Sequence, residues 1–530
     1  MKSCTDILSL LALSLAFALT GCTPSLPTTF EEATWEPPVT PNNFGATLPP
    51  NIAPLNFRIL QGDASEAITH LHSRNGGELI VGGWDVCFDE DEWHQLLDQT
   101  RGDSLFCDIY MKAYGVWEHL PTQRFYIAEE DIDPYITYRL IRPSYVTYEE
   151  LTINERCLET FDERVIYENM RFEDSDQGQC INCHMPRNWN REAQSQFHVR
   201  QALGGTVFIN GDNATKVNLK TDSTLSAGVY PAWHPTLNLI AYSVNETGQV
   251  FHTLDPQKVE VIDYASDLIL YDPESNAVQH IDRTASEFES FPAWSPDGST
   301  LYYIAAYYTP RADDIDADLD ANYDQLHYNL YARSFDLASR RFGPRRLVFD
   351  AASVGKSVSV PRVSPDGRYL LFTLADYGQF HIWHKSADLW LLPLEGEATP
   401  QPLQSVNSEQ AESYHTWSSD GRWILFSSRR DDGNYTRLYI SYFDSEGRAH
   451  RPFRLPQHKS DDDDLLLRSY NAAEFLVQPV RATQQQLQHA IKADARAATY
   501  AGSALLQPEA DTASVNRPDA AERRSSSVGY

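Results

Sequence analysis

Cysteine is scarce in this 530-residue chain, with 7 in all, and methionine is scarcer still at 4. So few thiols exclude a disulfide-dense scaffold. The chain has no compact Lys/Arg run, and its formal net charge is -31. Both features argue against nucleic-acid binding, which needs cationic contacts to phosphates. Long hydrophobic runs are missing as well: the apolar stretch from Ile7 to Leu19 holds about 13 residues, where a spanning helix needs about 20. The Gly-x-Ser-x-Gly string of a hydrolase does not occur. Hydrophobic residues make up 42% and aromatics 12%, which is globular composition, and the length calls for two or more domains.

Lys2, the short apolar run and Leu19-Thr20-Gly21-Cys22 stand at the N-terminus. This order resembles a bacterial lipobox. The resemblance implies that residues 1–22 are a lipoprotein signal peptide, cleaved before Cys22, and that Cys22 carries the lipid. The expected location is the cell envelope, with the exported protein lipid-anchored on a periplasmic face or at the cell surface, the outer membrane being the expected membrane. Residues 23–53 are Pro-, Thr- and Asn-rich and read as an extended tether.

Cys180-Ile181-Asn182-Cys183-His184 is the single Cys-x-x-Cys-His of the chain. Two thiols at this spacing can each add to one vinyl group of a haem, and the next histidine is then held within reach of the iron. The expected cofactor is one covalently attached haem c, with Cys180 and Cys183 in thioether bonds and His184 as the proximal iron ligand. A zinc site would need two further ligands and there is no second Cys pair; a thioredoxin-like dithiol would need a βαβ context that is absent. Cys4 leaves with the leader, so Cys87, Cys107 and Cys157 remain. Cys87 and Cys107 are the more local pair, flanking an apparent helix near Glu92 to Asp98, and are expected to form a disulfide.

Short alternating segments fill residues 54–142 and predict a small β-sandwich-like domain. Residues 143–203 are expected to be a haem-binding segment, with Tyr135, Tyr138, Leu140, Ile141, Tyr145, Tyr148 and Phe172 as apolar cover. Residues 204–480 are repetitive. Tyr230-Pro231-Ala232-Trp233-His234-Pro235, Phe291-Pro292-Ala293-Trp294-Ser295-Pro296-Asp297-Gly298, Val360-Pro361-Arg362-Val363-Ser364-Pro365-Asp366-Gly367 and Tyr414-His415-Thr416-Trp417-Ser418-Ser419-Asp420-Gly421 share one pattern. Asp-Gly supplies a tight turn between paired strands, and the recurring aromatic packs between sheets. Such repeats resemble the blades of TolB-type β-propellers. Four blades are visible, and closing the ring with strands from both chain ends predicts five or six. Asp313 to Asp320 and Asp461 to Asp464 are acidic runs without the Gly and closing Glu of a calcium loop. Residues 481–530 read as a low-complexity tail with a helix around Gln484 to Tyr500 and disorder beyond.

The order of lipobox, small β-domain, Asp133-Pro134-Tyr135-Ile136-Thr137-Tyr138-Arg139-Leu140-Ile141, Cys180 to His184, and Thr221 to His234 resembles a family of lipoproteins in Bacteroidetes-type bacteria. That family joins one c-type haem motif to a TolB-like propeller, and the resemblance implies a mainly β architecture and haem binding over about residues 54 to 480. Family members commonly carry Met after the histidine matching His198, where Val199 stands here. The distal iron position therefore stays open between several residues. Met185 directly follows the proximal histidine and cannot reach the opposite haem face. His198 suits an axial ligand, a propionate neighbour or a packed histidine, and Met170, His234 and His252 are further candidates. The expected function is a membrane-tethered monohaem c-type cytochrome whose propeller docks a redox partner protein. Two alternatives stay open: a propeller scaffold with haem in a structural or sensing role, and a haem-dependent small-molecule redox enzyme.

Overall fold

Period-2 apolar patterning and Gly- or Asp-rich turns run through the chain, and in the computed structural model they form two compact units. Residues 24–142, 150–169, 179–252, 257, 259–284, 286–396 and 399–506 are described. One unit is built from the chain up to Glu129 together with Pro456–Asp462, the other from Glu130–Leu455 together with the chain from Asp463. The leader and Cys22 lie outside the described residues.

In the smaller unit a seven-stranded sheet accompanies a three-stranded one. Its long strand Ser104–Ala113 pairs with Glu66–Ser73 on one side and with Val116–His119 and Gln123–Ile127 on the other. Helix Glu90–Gln99 begins where the Asp89 side chain accepts from the amides of Asp91 and Glu92. Trp93, Leu96 and Leu97 form its buried face. The expected tether is part of this unit. Thr47–Leu48 pairs in parallel with Gln123–Ile127, Phe44, Ala46, Leu48 and Ile52 are buried, and the Trp93 indole donates to the Ile52 carbonyl at 2.9 Å. Proline-rich composition hid enough apolar residues to cover a sheet. The expected Cys87–Cys107 disulfide is not formed. Cys107 is fully buried in the long strand, in register with Leu71 and Gln123, while Cys87 is exposed beside Asp85–Val86 of the other sheet; both are free thiols. Closeness in sequence failed here because the two residues enter different sheets.

The larger unit holds six antiparallel sets of four strands among the described residues; the third and fourth, joined by one parallel bridge between Ser266 and Phe288, lie in a single nine-stranded sheet. The first takes its opening strand, Ser469–Leu476, from near the C-terminus and adds Tyr135–Ile141, Thr152–Cys157 and Glu163–Glu168. The second is Gln179–Pro186, Gln194–Gln201, Gly205–Asn210 and Asn213–Asn218. The opening strands of the remaining four are Val229–Trp233, Glu287–Trp294, Ser357–Val363 and Glu412–Trp417. These six opening strands touch one another in a cycle, each against the next, with Glu412–Trp417 returning to Ser469–Leu476. That is the arrangement of a β-propeller. The sheets begin at Tyr135, ahead of residue 204, and the expected haem-binding segment supplies strands to the first two of them. The described part of the tail, as far as Leu506, also joins the fold, and the expected disorder beyond it lies outside the described residues. Helix Gln484–Lys492 starts with a capping box from Thr483 and Gln486. Its Leu487 and Ile491 join Ile153, Tyr167, Phe197 and Val207 in one apolar cluster. Arg496–Ala497 and Thr499–Ser503 then pair in parallel with the outer strands of the second and third sheets, covering edges that would otherwise be open.

The recurring residues have separate tasks. The indole N–H groups of Trp233, Trp294 and Trp417 donate to the carbonyls of Met185, Ala232 and Arg362, each on the opening strand of the preceding sheet. The Ser and Asp of three turns repeat one hydrogen-bond set: Ser418 Oγ donates to Asp420 Oδ1 at 2.5 Å and accepts from the Trp423 amide at 2.9 Å, and Ser295 and Ser364 do the same with Asp297 and Asp366. His234 replaces this serine in the third sheet, where its Nδ1 accepts from the amides of Thr236 and Leu237. Its role is that of a turn residue. The acidic runs act locally too: the Asp318 carboxylate accepts from the Tyr308 hydroxyl and the Arg311 amide, and Asp463 pairs with Arg454 at 2.8 Å.

Ser418→Ala strands the Trp423 amide and leaves Asp420 Oδ1 with the Arg422 amide alone, so a loss of about 1 to 2 kcal/mol is expected from the shift in urea midpoint.

Candidate functional site

Every opening strand of the larger unit is broken at one point. The register with its neighbour shifts between Asn182 and Met185, Val229 and Ala232, Ser290 and Ala293, Ser359 and Arg362, and Ser413 and His415. In the first sheet the shift falls between Thr137 and Arg139, opposite Ala472. One residue at each break has left-handed backbone: Cys183 at φ 48°, Tyr230 at 47°, Phe291 at 49°, Val360 at 47°, Tyr414 at 44° and Ala472 at 50°. These are β-bulges, which bend a strand and re-aim side chains. All six residues line one cavity of about 630 Å³.

The Cys-x-x-Cys-His motif therefore occupies a repeat position. Cys183 stands where other sheets have Tyr230, Phe291 or Val360, and His184 stands where they have Pro231, Pro292 or Pro361. Cys183 is half-buried and His184 is buried, and both line the cavity. The side chain of Cys180 lies outside the described residues; its backbone pairs with Arg200. His198 is buried, lines the same cavity, and is paired in register with Asn182 on the adjacent strand.

Neither ring nitrogen of His184 has a well-formed hydrogen bond, nor has Nδ1 of His198. Burial, with the Arg139 cation adding to it, lowers the His184 imidazole to about 3, and the Thr137 backbone opposes this. Burial, then Arg200, lowers His198 likewise to about 3. Both rings are neutral at ordinary pH, the form in which an imidazole nitrogen can bind a metal.

Charge separates this cavity from the rest of the protein. Among the described residues Arg139, Arg142, Arg200, Lys220 and Arg362 line it and no carboxylate does, in a chain whose net charge is -31. Arg142 is paired with Glu150 at 2.6 Å and Arg362 with Glu474 at 2.8 Å. Arg139 is 6% exposed, its Nε has no hydrogen-bond partner, and it has no carboxylate partner among the described residues. A buried cation in that condition costs several kcal/mol unless something compensates it. Apolar wall comes from Val199, Phe291, Val360, Phe380 and Ile382, with Tyr230 stacked on Phe291 at 4.0 Å.

Cys183, His184 and His198, singled out in the sequence, line one cavity. Of the expected apolar cover only Ile141 lines the cavity; Tyr138 is buried against Tyr470, and Tyr145, Tyr148 and Phe172 lie outside the described residues, as does Met170. His234 and His252 do not line it. The cations and the ring of bulge residues were missed. Their signal was present in the residue before each Pro of the repeat strings, which is Tyr230, Phe291 and Val360.

No protein-family model and no curated protein sequence matches this chain. Among solved structures, TolB from Acinetobacter baumannii is similar at 11% identity, with a TM-score of 0.36 over 67% of this chain and 80% of that one. An oligogalacturonate lyase in complex with manganese is 13% identical, with a TM-score of 0.28 over 79% of this chain and 98% of that one. Prolyl oligopeptidase B from Galerina marginata is 9% identical, with a TM-score of 0.34 over 80% of this chain and 55% of that one. Likenesses this distant bear on neither activity nor ligand.

Arg139→Met removes the unpaired guanidinium. In the ligand-free protein it is expected to raise stability by about 1 to 4 kcal/mol, read from urea unfolding, while retention of an anionic ligand falls. A lower urea midpoint would show that Arg139 is paired in solution.

Proposed function

We propose that this protein is a monohaem c-type cytochrome whose haem lies at the axis of a six-bladed, TolB-like propeller. The observation that carries this reading is one wall that, among the described residues, joins Cys183 and His184 to five cations and no carboxylate. The residues fit the group. A volume of about 630 Å³ is in the usual range of cofactor sites, roughly 300 to 1,000 Å³, and the cations match two propionates. Haem bound there would supply one-electron chemistry through its iron.

The chain's own groups do the rest. Cys180 and Cys183 supply the thioether sulfurs, and neutral His184 presents a lone pair that no protein hydrogen bond occupies. Arg139 and Arg200 offset carboxylate charge, and Phe291, Val360 and Ile382 keep water from the ring. The expected role is electron exchange with a redox partner protein docked on the propeller. The lipid on Cys22 would hold the exported protein at the membrane, with the outer membrane as the proposed location.

His198 is read here as a neighbour of the haem edge. It is paired with Asn182 on the next strand, and neighbouring strands lie about 4.8 Å apart. Two axial ligands approach iron from opposite faces, each with a whole side chain between backbone and metal. A cross-strand neighbour of the motif lacks that separation. The described wall then offers no second strong ligand, since Met185 and His198 both belong to the motif's own sheet. This favours, as second reading, an iron open to small molecules.

Optical spectra of the purified protein, oxidised, reduced and under CO, test both. A covalent haem band is expected in the wild type and its loss in Cys183→Ala. Low-spin iron indifferent to CO supports electron transfer; high-spin iron that binds CO supports the second reading. A chain without covalent haem sinks both.

A further inference from the structure

The smaller unit carries a second cluster of ligand-type side chains, unrelated to the cavity. His70 and His72 lie two apart on Glu66–Ser73, so they share one face of the sheet. Asp108 on the neighbouring strand is directly opposite His70. One ligand atom from each of these three residues lies within 4.8 Å of the other two, the one such group among the described residues. All three are half-buried, open enough for exchange with solvent and covered enough to hold their geometry.

The surroundings are those of a supported site. His72 Nε2 is 2.9 Å from Asp108 Oδ2. The other carboxylate oxygen is held separately: the Thr122 hydroxyl donates to Oδ1 at 2.6 Å and His119 Nε2 lies 3.2 Å from it. His119 is in turn fixed by Glu32, with Nδ1 at 2.8 Å from the carboxylate. Metal-binding carboxylates are usually held by such outer partners. Phe106 stacks on His72 at 5.5 Å and Tyr110 on His119 at 4.8 Å, which restrains both rings. His70 and His72 stack on each other at 4.7 Å. Glu78, with its carboxylate 2.9 Å from His70 Nε2, is available as a fourth oxygen donor.

We propose that His70, His72 and Asp108 form a binding site for a divalent transition-metal ion of the zinc class, with Glu78 or water completing the shell. Two imidazole nitrogens and a carboxylate oxygen suit a borderline ion. Ligand atoms around tetrahedral zinc stand about 3.4 Å apart, so His72 Nε2 and Asp108 Oδ2, now 2.9 Å apart, would part slightly while atoms up to 4.8 Å apart draw together, changes that histidine and aspartate torsions allow. The ion would join two neighbouring strands and leave Asp108 Oδ1 on Thr122 and His119.

Equilibrium dialysis of the full chain against Zn2+, with metal content read by plasma emission, is the test. One zinc per chain is expected. His72→Ala and Asp108→Asn should each weaken binding by a hundredfold or more, and His119→Ala by about ten- to a hundredfold. His94→Ala, on the helix of the same unit, should leave it unchanged. X-ray absorption of the wild-type zinc complex guards against a variant that fails to fold. A nitrogen and oxygen shell at about 2.0 to 2.1 Å is expected, whereas a sulfur shell near 2.3 Å would place the ion on thiols and overturn the assignment. No zinc uptake, or equal uptake by His72→Ala and Asp108→Asn, would overturn it as well.

Discussion

The larger unit depends on a backbone constraint repeated six times. Each opening strand turns through left-handed geometry at one non-glycine residue, a conformation that costs about 1 kcal/mol or more each time. Val360 shows how firmly it is imposed, since β-branched residues resist it most. The bulge breaks the strand where the six sheets converge and turns one side chain per sheet into shared space. Remove the bulges and the opening strands would run straight, with no cavity wall and no place for Cys183. The strain is held by groups that have few alternatives. Indole N–H groups of Trp233, Trp294 and Trp417 reach the preceding sheet on one flank. Serine–aspartate turns lock the other.

Charge is organised around the same axis. The chain is acidic overall, yet no carboxylate among the described residues lines the cavity, and several pair with arginines instead: Glu474 with Arg362 of the wall, Asp282 with Arg333, Asp463 with Arg454. Such buried pairs contribute little net stability and specify which sheet meets which. Arg139 and Arg200 are left facing inward. A field of one sign, enclosed by apolar wall, favours an anionic guest over the many neutral molecules that would fit by volume.

Much of this was legible in the residues. The Trp-Ser-Pro-Asp-Gly strings give their turns away because serine, aspartate and glycine each have a distinct backbone task there. Cys180 to His184 is legible because few chemistries need that spacing. What stayed hidden depends on register. Cys183 and Tyr230 share no side-chain chemistry, so their equivalence emerges only once both strands are seen to break at one place. The strands from Tyr135 to Glu168 lack the Asp-Gly turn and were divided between the small β-domain and the haem-binding segment, although they complete the ring. The burial of residues 24–53 and of the tail's expected helix was missed for one reason: polar residues and proline dominate their composition, while the few apolar residues that decide burial, such as Leu48, Ile52, Leu487 and Ile491, are outnumbered.

The first sheet is finished by a strand from the far end of the chain, Ser469–Leu476 against Tyr135–Ile141. A ring assembled in this way has a temporal order. While the chain is being made, the segment holding Cys180 to His184 emerges long before the strand that shuts the circle. During that interval the future cavity is a cleft, open along one side, and its wall becomes continuous only when Ser469–Leu476 pairs. The integrity of that wall is thus a property of the seam as much as of the residues that line it.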